Sequence, residues 1–590
     1  MPVWRTLGSS IRLIYRAGPA RLIAFALASL AGGLLPAASV SAIANLVGAI
    51  SAYAATRSQD DLDTSISGGI WFAVVMIATF VCGRLSAVFE SSLRVNAGMA
   101  IRTTYLRKSA TVDIDQFESP DTLDAIHRAG AEGADRVVGL IVKAFTVIAG
   151  VATLVSVAAI LVAWDPLAAV LLLIAPFPSF VASVAMARTQ YQVDVARTGK
   201  RRMANYLERL LMSASSIREI RLLGVSPRLL SRHRRIVEEI GKQDRGYIRK
   251  VAIIDGALGS AGVVLYLVAV WRSIVAALNV GSVGQLTGYL QAIGTLQHAA
   301  GQVVGGVSSG YEDVLYCANL FAYLDMPSAS VPEGPWTFDG GAAASIELRH
   351  LSYTYPSRTD PTLTDVSLSV PAGSLVAIVG ANGSGKTTLM RVLARLCMPG
   401  AGDLLLNGRP VQAYSLESLR ASISMVFQDP VRFQFTLREN VTLGDATRDT
   451  LDSEVLERLT EVGAAPGSIG CSDLDETLGK ELGNGRELSV GQWQRVAIAR
   501  GLYRFGGLLL MDEPTASQDA MSERELVRVL SVMQDRTRVV VTHSAVVAAA
   551  SDLVVVLENG SVRQVGPFDE LYRSGGVLCE IFAGRGNAAD

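Results

Sequence analysis

The sequence predicts an α-helical transmembrane domain, six spans with long cytoplasmic helical extensions, followed by an α/β domain built around a phosphate-binding loop (P-loop). Three observations carry that prediction. Half of the residues are hydrophobic, 18% are charged and mean hydropathy is +0.35, a balance that soluble chains rarely show. The apolar residues gather in six stretches before residue 325. Gly380 to Thr387 then completes the pattern G-x-x-x-x-G-K-[ST], set between a short apolar run and a helical pattern.

Composition excludes several classes. Net charge is −1, so no nucleic-acid partner is expected. The cysteines (Cys82, Cys317, Cys397, Cys471, Cys579) are scattered and form no C-x-x-C pair. Neither a zinc site nor a disulfide framework follows. The five histidines show no metal-ligand spacing. Arg far outnumbers Lys, and Ala and Gly are abundant, a bias associated with GC-rich bacterial genomes.

Trp4 to Arg21 mixes Arg5, Arg12, Arg16 and Arg21 with Leu7, Ile11, Leu13 and Ile14, which suits an amphipathic helix along the inner membrane surface. The six apolar stretches are 20–50, 67–90, 136–163, 166–187, 252–277 and 285–312. Each supplies about 20 residues, enough for a hydrocarbon core of about 30 Å. The last two carry polar interruptions: Asp255, Arg272, Gln285, Gln291, His298 and Gln302. Ala42-Ile43-Ala44 has the small-x-small form of a signal-peptidase site, but the apolar run continues through Ile50, so the segment reads as a retained span. Arg188 to Lys250 holds sixteen Lys or Arg, whereas 51–66 holds only Arg57 against three Asp, and Trp164-Asp165-Pro166 holds no cation. By the positive-inside rule both termini are cytoplasmic, in a bacterial plasma (inner) membrane. Two inside loops of about 45 and 65 residues are helical in pattern; half of the first as one helix reaches about 30 Å below the membrane. Domain limits read as 1–325 for the transmembrane domain, 326–344 for a Pro- and Gly-rich linker, 345–577 for the second domain and 578–590 for a tail.

In the second domain Leu375 to Val379 has the pattern of a buried strand leading into the glycine loop, and Thr388 to Leu393 starts a helix. Strand, loop and helix in that order are the context in which this motif binds phosphate. Gly380, Ala381, Asn382, Gly383, Ser384 and Gly385 turn backbone N–H groups toward the β- and γ-phosphates, helped by the helix N-terminus. Lys386 adds a point charge, the Thr387 hydroxyl is a Mg²⁺ ligand, and Thr388 follows on the helix. Leu508 to Asp512 is a second apolar strand; Asp512 at its end is placed to hold Mg²⁺, and Glu513 to polarise an attacking water. The domain is therefore expected to be an α/β P-loop ATPase domain.

Leu488-Ser489-Val490-Gly491-Gln492 lies between the two strands. Loop, Leu488 to Gln492 and Asp512-Glu513, in this order behind a membrane half, resemble the ATP-binding cassette (ABC) transporters over nearly all of the 590 residues. The likeness is to exporter-type half-transporters, including bacterial peptide, antibiotic and multidrug exporters. It implies that His543 contacts the γ-phosphate and orients water. It implies that Gln428 touches Mg²⁺ and meets the coupling helices, and that Tyr355 stacks on adenine. Phe117 to Arg128 and Ser216 to Gly224 resemble the two coupling regions. Ser489, Val490, Gly491 and Gln492 match the signature L-S-G-G-Q, which caps the ATP of the other cassette, with Val490 in place of a glycine. A β-branched residue is ill suited to φ > 0, so either this position is not left-handed or the capping geometry is altered. Ala516 to Asp519 departs from the family's usual S-A-L-D. ATP and Mg²⁺ are the implied cofactors. A second half-transporter, identical or different, and the lipid bilayer are the implied partners. The resemblance implies ATP-driven export of a hydrophobic or amphipathic small molecule, peptide or lipid by alternating access; the transported substrate is not named by it. No peptidase-like region precedes the first span, so peptide maturation is not expected. An importer on the same fold, carrying siderophore-like cargo, a soluble ABC ATPase and an ATP-gated channel are the alternatives; the spans and the near-neutral charge oppose the soluble ATPase, and no regulatory insertion supports the channel.

Overall fold

The computed structural model describes residues 3–112, 114–117, 119–130, 133–280, 283–327, 334–356, 358–483, 485–515 and 520–586. It has two compact units: Met1–Val112 with Pro120–Pro327, and Asp113–Ser119 with Ser328–Asp590.

The first unit is helical. Val3–Ala17 buries Thr6, Ser10 and Ile14, spaced four residues apart on one face, and leaves Trp4 and Tyr15 exposed. Pro19 opens the next helix, Pro19–Thr56, and Arg57 in the left-handed region (φ 55°) ends it. Gln59–Ser109 runs unbroken for 51 residues and Ser226–Val280 for 55. At 1.5 Å per residue these are about 76 and 82 Å long, more than twice a hydrocarbon core. Among the described residues five segments are long and apolar enough to cross a membrane: Pro19–Thr56, Gln59–Ser109, Gly133–Trp164, Pro166–Ser183 and Ser226–Arg272.

Two details depart from the six stretches read in the sequence. The fourth stretch is not one helix: Pro166–Ile174 gives way to Phe177–Ala196 around Pro176, whose missing N–H and ring break the ladder. The sixth lies inside the 42-residue helix Val283–Leu324, which is long but falls outside the five apolar segments. Its Gln residues, His298 and frequent Gly lower its hydropathy. That helix buries a full face, including Ile293, Leu296, Val314 and Leu320, so less of its surface has to be apolar to suit lipid. Elsewhere the bundle closes through small residues. A Cβ on Gly33 would lie 2.6 Å from the Ala149 carbonyl oxygen, and Thr153 Oγ1 donates to the Gly33 carbonyl at 2.7 Å. The first region read as coupling falls on the short helix Ile114–Phe117 and the helix Pro120–Gly130; the second falls on Ala214–Leu222.

The second unit contains two sheets. Its strands are β1 (Ile346–Tyr353), β2 (Leu363–Val370), β3 (Leu375–Val379), β4 (Ala401–Leu406), β5 (Arg409–Pro410), β6 (Ile423–Val426), β7 (Leu508–Asp512), β8 (Thr537–Val541), β9 (Leu553–Glu558) and β10 (Ser561–Gly566). One sheet is antiparallel, in the order β2-β1-β4-β5; the other runs β10-β9-β3-β8-β7-β6. In the larger sheet β9, β3, β8, β7 and β6 are mutually parallel, and β10 is antiparallel to β9. Every residue of β3, β7 and β8 is buried, which is why these strands read as unbroken apolar runs. Part of the segment read as linker is built into this unit. Phe338 and Ala344 are core residues, and the Trp336 amide donates to the Ala413 carbonyl at 3.2 Å. The tail begins in a helix, Val577–Gly586, whose Leu578 is fully buried.

Candidate nucleotide site

Parallel strands deliver their carboxyl ends to one edge of the sheet, where open α/β sheets bind ligands. Four such ends meet here. β3 runs into Gly380, β6 into Phe427 and Gln428, β7 into Glu513, and β8 into Thr542 and His543. Register holds them level: Ile378 and Asp512 both pair with Val541, and Val426 pairs with Met511.

The glycine loop needs its glycines for space and for backbone sign. A Cβ on Gly380 would lie 2.2 Å from the Leu557 carbonyl oxygen, and Gly385 has φ 99° with Leu363 Cδ2 2.9 Å from its Cβ position. Lys386 opens the helix Lys386–Leu393 and is 6% exposed. Its ammonium donates to the carbonyls of Gly380 and Ala381, both at 2.9 Å. The loop thus holds its own cation in place at a helix N-terminus, ready for phosphate oxygens. Ser384 Oγ is buried without a hydrogen-bond partner among the described residues.

Asp512 is 2% exposed, and its Oδ1 has no partner among the described residues. Burial pushes its carboxyl above the usual range; the Thr387 hydrogen bond pulls the other way, the Glu513 charge adds to the rise, and Lys386 opposes it. A buried, under-satisfied carboxylate oxygen beside a hydroxyl is a pair of hard donors. Mg²⁺ takes one or two such protein oxygens and fills its octahedron with water and phosphate. The residues therefore fit that ion. No group of three or more His, Cys, Asp or Glu side chains that could hold a metal occurs among the described residues.

Glu513 is held from four sides. Its amide donates to the Val541 carbonyl at 3.0 Å, and its carbonyl accepts from Gln494 Nε2 at 3.1 Å. One carboxylate oxygen accepts from Gln428 Nε2 at 3.0 Å, and the other lies 3.3 Å from His543 Nε2. Its φ is 48°, a left-handed conformation that costs a non-glycine residue about 1–3 kcal/mol and that neighbours must impose. Gln428, read as a metal contact, is thus joined to the carboxylate. Tyr355 is fixed by its hydroxyl, 3.1 Å from Thr388 Oγ1 and 3.4 Å from Arg391 Nη1, and by an edge contact with Tyr353 at 5.0 Å.

One cleft of about 670 Å³ is lined by Tyr355, Asn382, Lys386, Thr387, Gln428, Glu513 and His543, with Arg358 and Thr362; Gly380, Ala381, Ser384 and Asp512 are not among its lining residues. Arg358, Thr362 and Gln494 were not found from the sequence. Gln494 stands two residues past the signature and is buried, 3% exposed, but no sequence motif marks it.

Ser489, Val490, Gly491 and Gln492 do not line this cleft. Ser489 caps the helix Val490–Tyr503 in a reciprocal capping box with Gln492: Gln492 N donates to Ser489 Oγ at 3.2 Å, and Ser489 N to Gln492 Oε1 at 2.9 Å. Val490 is the first helical residue, 55% exposed and not among the residues with positive φ. Ala516 to Asp519 lie outside the described residues.

Comparison with known proteins agrees with this geometry. The family described as ABC transporter matches residues 363–516. The subtilin transport ATP-binding protein SpaT of Bacillus subtilis is 26% identical over 497 residues, 83% of this chain and 80% of that protein. The nisin transport ATP-binding protein NisT of Lactococcus lactis subsp. lactis is 25% identical over 509 residues, 85% of each. An ATP-dependent lipid A-core flippase of Burkholderia orbicola is 36% identical over 266 residues, 44% of this chain and 43% of that one. The solved structure of a bacterial Atm1-family ABC exporter with ATP bound superimposes with a TM-score of 0.76 at 21% identity, covering 96% of this chain and 98% of that one.

Proposed function

We propose that this chain, an ATP-driven ABC transporter with the exporter fold, is one half of a dimer that carries an amphipathic peptide out across the bacterial plasma membrane. The ATPase assignment rests above all on the Glu513 carboxylate, fixed between Gln428 and His543 at the mouth of the glycine loop. In this reading the cleft takes ATP, with adenine on Tyr355 and the phosphates on Lys386 and the loop amides. Thr387 and Asp512 would hold Mg²⁺, with Gln428 beside them. When bound, that ion neutralises charge on the phosphates. Glu513 accepts a proton from the attacking water, and His543 orients that water against the γ-phosphate. The signature residues stand outside the cleft of their own chain, so the site is completed by Ser489 to Gln492 of a second copy.

Cargo is assigned from the membrane half. Matches to the subtilin and nisin transporters span 83% and 85% of this chain, and those to lipid A-core flippases span 44% to 58%, so the peptide transporters share more of the first unit. An amphipathic peptide is the corresponding cargo. The test is ATPase stimulation in lipid nanodiscs by a panel of amphipathic peptides set against lipid A-type lipids and neutral drugs. Stimulation by peptides alone is expected; stimulation confined to lipids would replace the cargo. The excess of Lys and Arg in 188–250 supports a cytoplasmic position for both termini. A cysteine at Ser119 or Ser216, in a chain freed of its native cysteines, is expected to react with an impermeant thiol reagent only in inside-out vesicles.

A further inference from the structure

The first unit holds a charge cluster that the ATPase chemistry does not use. Asp313, on the helix Val283–Leu324, is 1% exposed. Two cations of the helix Gly133–Trp164 reach it: Lys143 Nζ at 2.6 Å from Oδ2 and Arg136 Nη1 at 3.0 Å from Oδ1. Arg136 also meets Glu312 at 3.2 Å and lies over the Tyr316 ring at 4.5 Å, and Lys143 donates to the Ser309 carbonyl at 3.3 Å. Two positive and two negative charges therefore balance between two helices. Arg136 and Lys143 are seven residues apart, on one helix face, and Gly139 lies between them. A Cβ there would stand 3.2 Å from Asp313 Oδ2, so the missing side chain is what admits the carboxylate.

For stability alone, apolar residues of similar volume serve as well as a buried ion cluster. What charges add is a single register. Sliding one helix past the other by a turn, about 5.4 Å, would break these contacts together and leave the buried Asp313 carboxylate unpaired. The helix Val283–Leu324 is also the one whose C-terminal end leads by sequence into the second unit, which begins again at Ser328. We infer that Arg136, Lys143, Glu312 and Asp313 form a charge-keyed joint that makes helix Gly133–Trp164 follow helix Val283–Leu324 when nucleotide binds, with Asp313 as its central positioning residue. The joint goes beyond the export reading and rests on it only for the existence of a nucleotide-driven movement.

The experiment is hydrogen–deuterium exchange of the full chain in nanodiscs, in a Glu513→Gln background, with and without Mg-ATP. Peptides from 133–145 and from 306–324 are compared. With the cluster intact both segments are expected to change protection together. In Lys143→Leu/Asp313→Leu the segment 306–324 should still respond, while the response of 133–145 should fall at least twofold. Asp313→Asn should give the same split, and if it fails to fold, the double variant, which leaves no unpaired charge at Asp313 and keeps Arg136 with Glu312, decides alone. An undiminished response of 133–145 in the double variant overturns the joint and leaves the export reading standing. No response in either segment with the cluster intact, in protein that binds ATP, overturns both.

Discussion

At the scale of single residues, Glu513 and Asp512 are adjacent carboxylates with different surroundings and hence different work. Glu513 accepts from Gln428 and faces His543, an arrangement that orients a base. Glu513→Gln keeps the shape and removes the base. Turnover is expected to fall by about 10²–10⁴, with ATP affinity unchanged within a few-fold; an ATPase rate near wild type in the purified variant would remove the assignment. Asp512 is the buried partner, and its carboxyl is raised chiefly by burial. The sign follows. A carboxyl whose folded pKa exceeds its unfolded value binds its proton more tightly in the fold, so stability is lost as pH rises from the unfolded value through the folded one. At neutral pH the empty site therefore carries a cost that a bound cation offsets. Asp512→Asn is expected to leave the nucleotide-free protein at least as heat-stable as wild type at pH 7. It should abolish the extra stabilisation that Mg²⁺ adds to ATP, on the order of 2.7 kcal/mol at a hundredfold excess over Kd. Melting curves with ATP plus EDTA against ATP plus Mg²⁺ check both. The positions of these two residues were legible because they close one apolar strand, Asp512 as the last residue of β7 and Glu513 just past it. Gln494 was not legible, since its partner is the backbone carbonyl of Glu513, a group no side-chain motif records.

Elements explain why the loop tolerates so little change. β3 lies between β8 and β9, so the first loop residue leaves the sheet against the Leu557 carbonyl of β9. Gly380→Ala puts a methyl 2.2 Å from that oxygen, backbone that cannot swing aside. The loop must move instead, which displaces the carbonyl that Lys386 grips. Overpacking of this kind costs about 1–3 kcal/mol, and the variant is expected to lose ATP affinity at least tenfold; unaltered binding by a fluorescent ATP analogue would show that the loop relaxes freely. This element was read correctly because strand, loop and helix each carry their own periodicity. The helix Val283–Leu324 was harder, since its polar and glycine positions make it look like a weak span. Its buried face appears only once the neighbouring helices are in place. The break at Pro176 was available in the sequence, but a run of apolar residues on both sides masked it.

At the scale of the molecule, the order of motifs announced both units, while the identity of the second half of the transporter was left open by Val490. The structure bears on that question through backbone sign. Had the signature required a left-handed residue here, a β-branched side chain would be strained and the chain would need a partner with a regular signature. Val490 instead sits at the first position of a helix, without positive φ, behind an intact capping box. A β-branched residue is acceptable there, and Ser489 and Gln492 keep the helix end in shape. On the proposed reading the chain also supplies Lys386, Asp512, Glu513 and His543 for its own half-site, and two copies of the chain would make two equivalent sites. Expressed alone and purified into nanodiscs, the chain is expected to run as a dimer and to hydrolyse ATP. Val490→Gly should change the rate less than about twofold and lower helix stability by no more than a few tenths of a kcal/mol, since valine is itself a weak helix former and the position is the first of the helix. A monomeric or inactive product would mean that the other half comes from a different chain. A several-fold gain in turnover from Val490→Gly would mean that the exposed valine side chain, rather than its backbone, obstructs the approach of the partner's ATP.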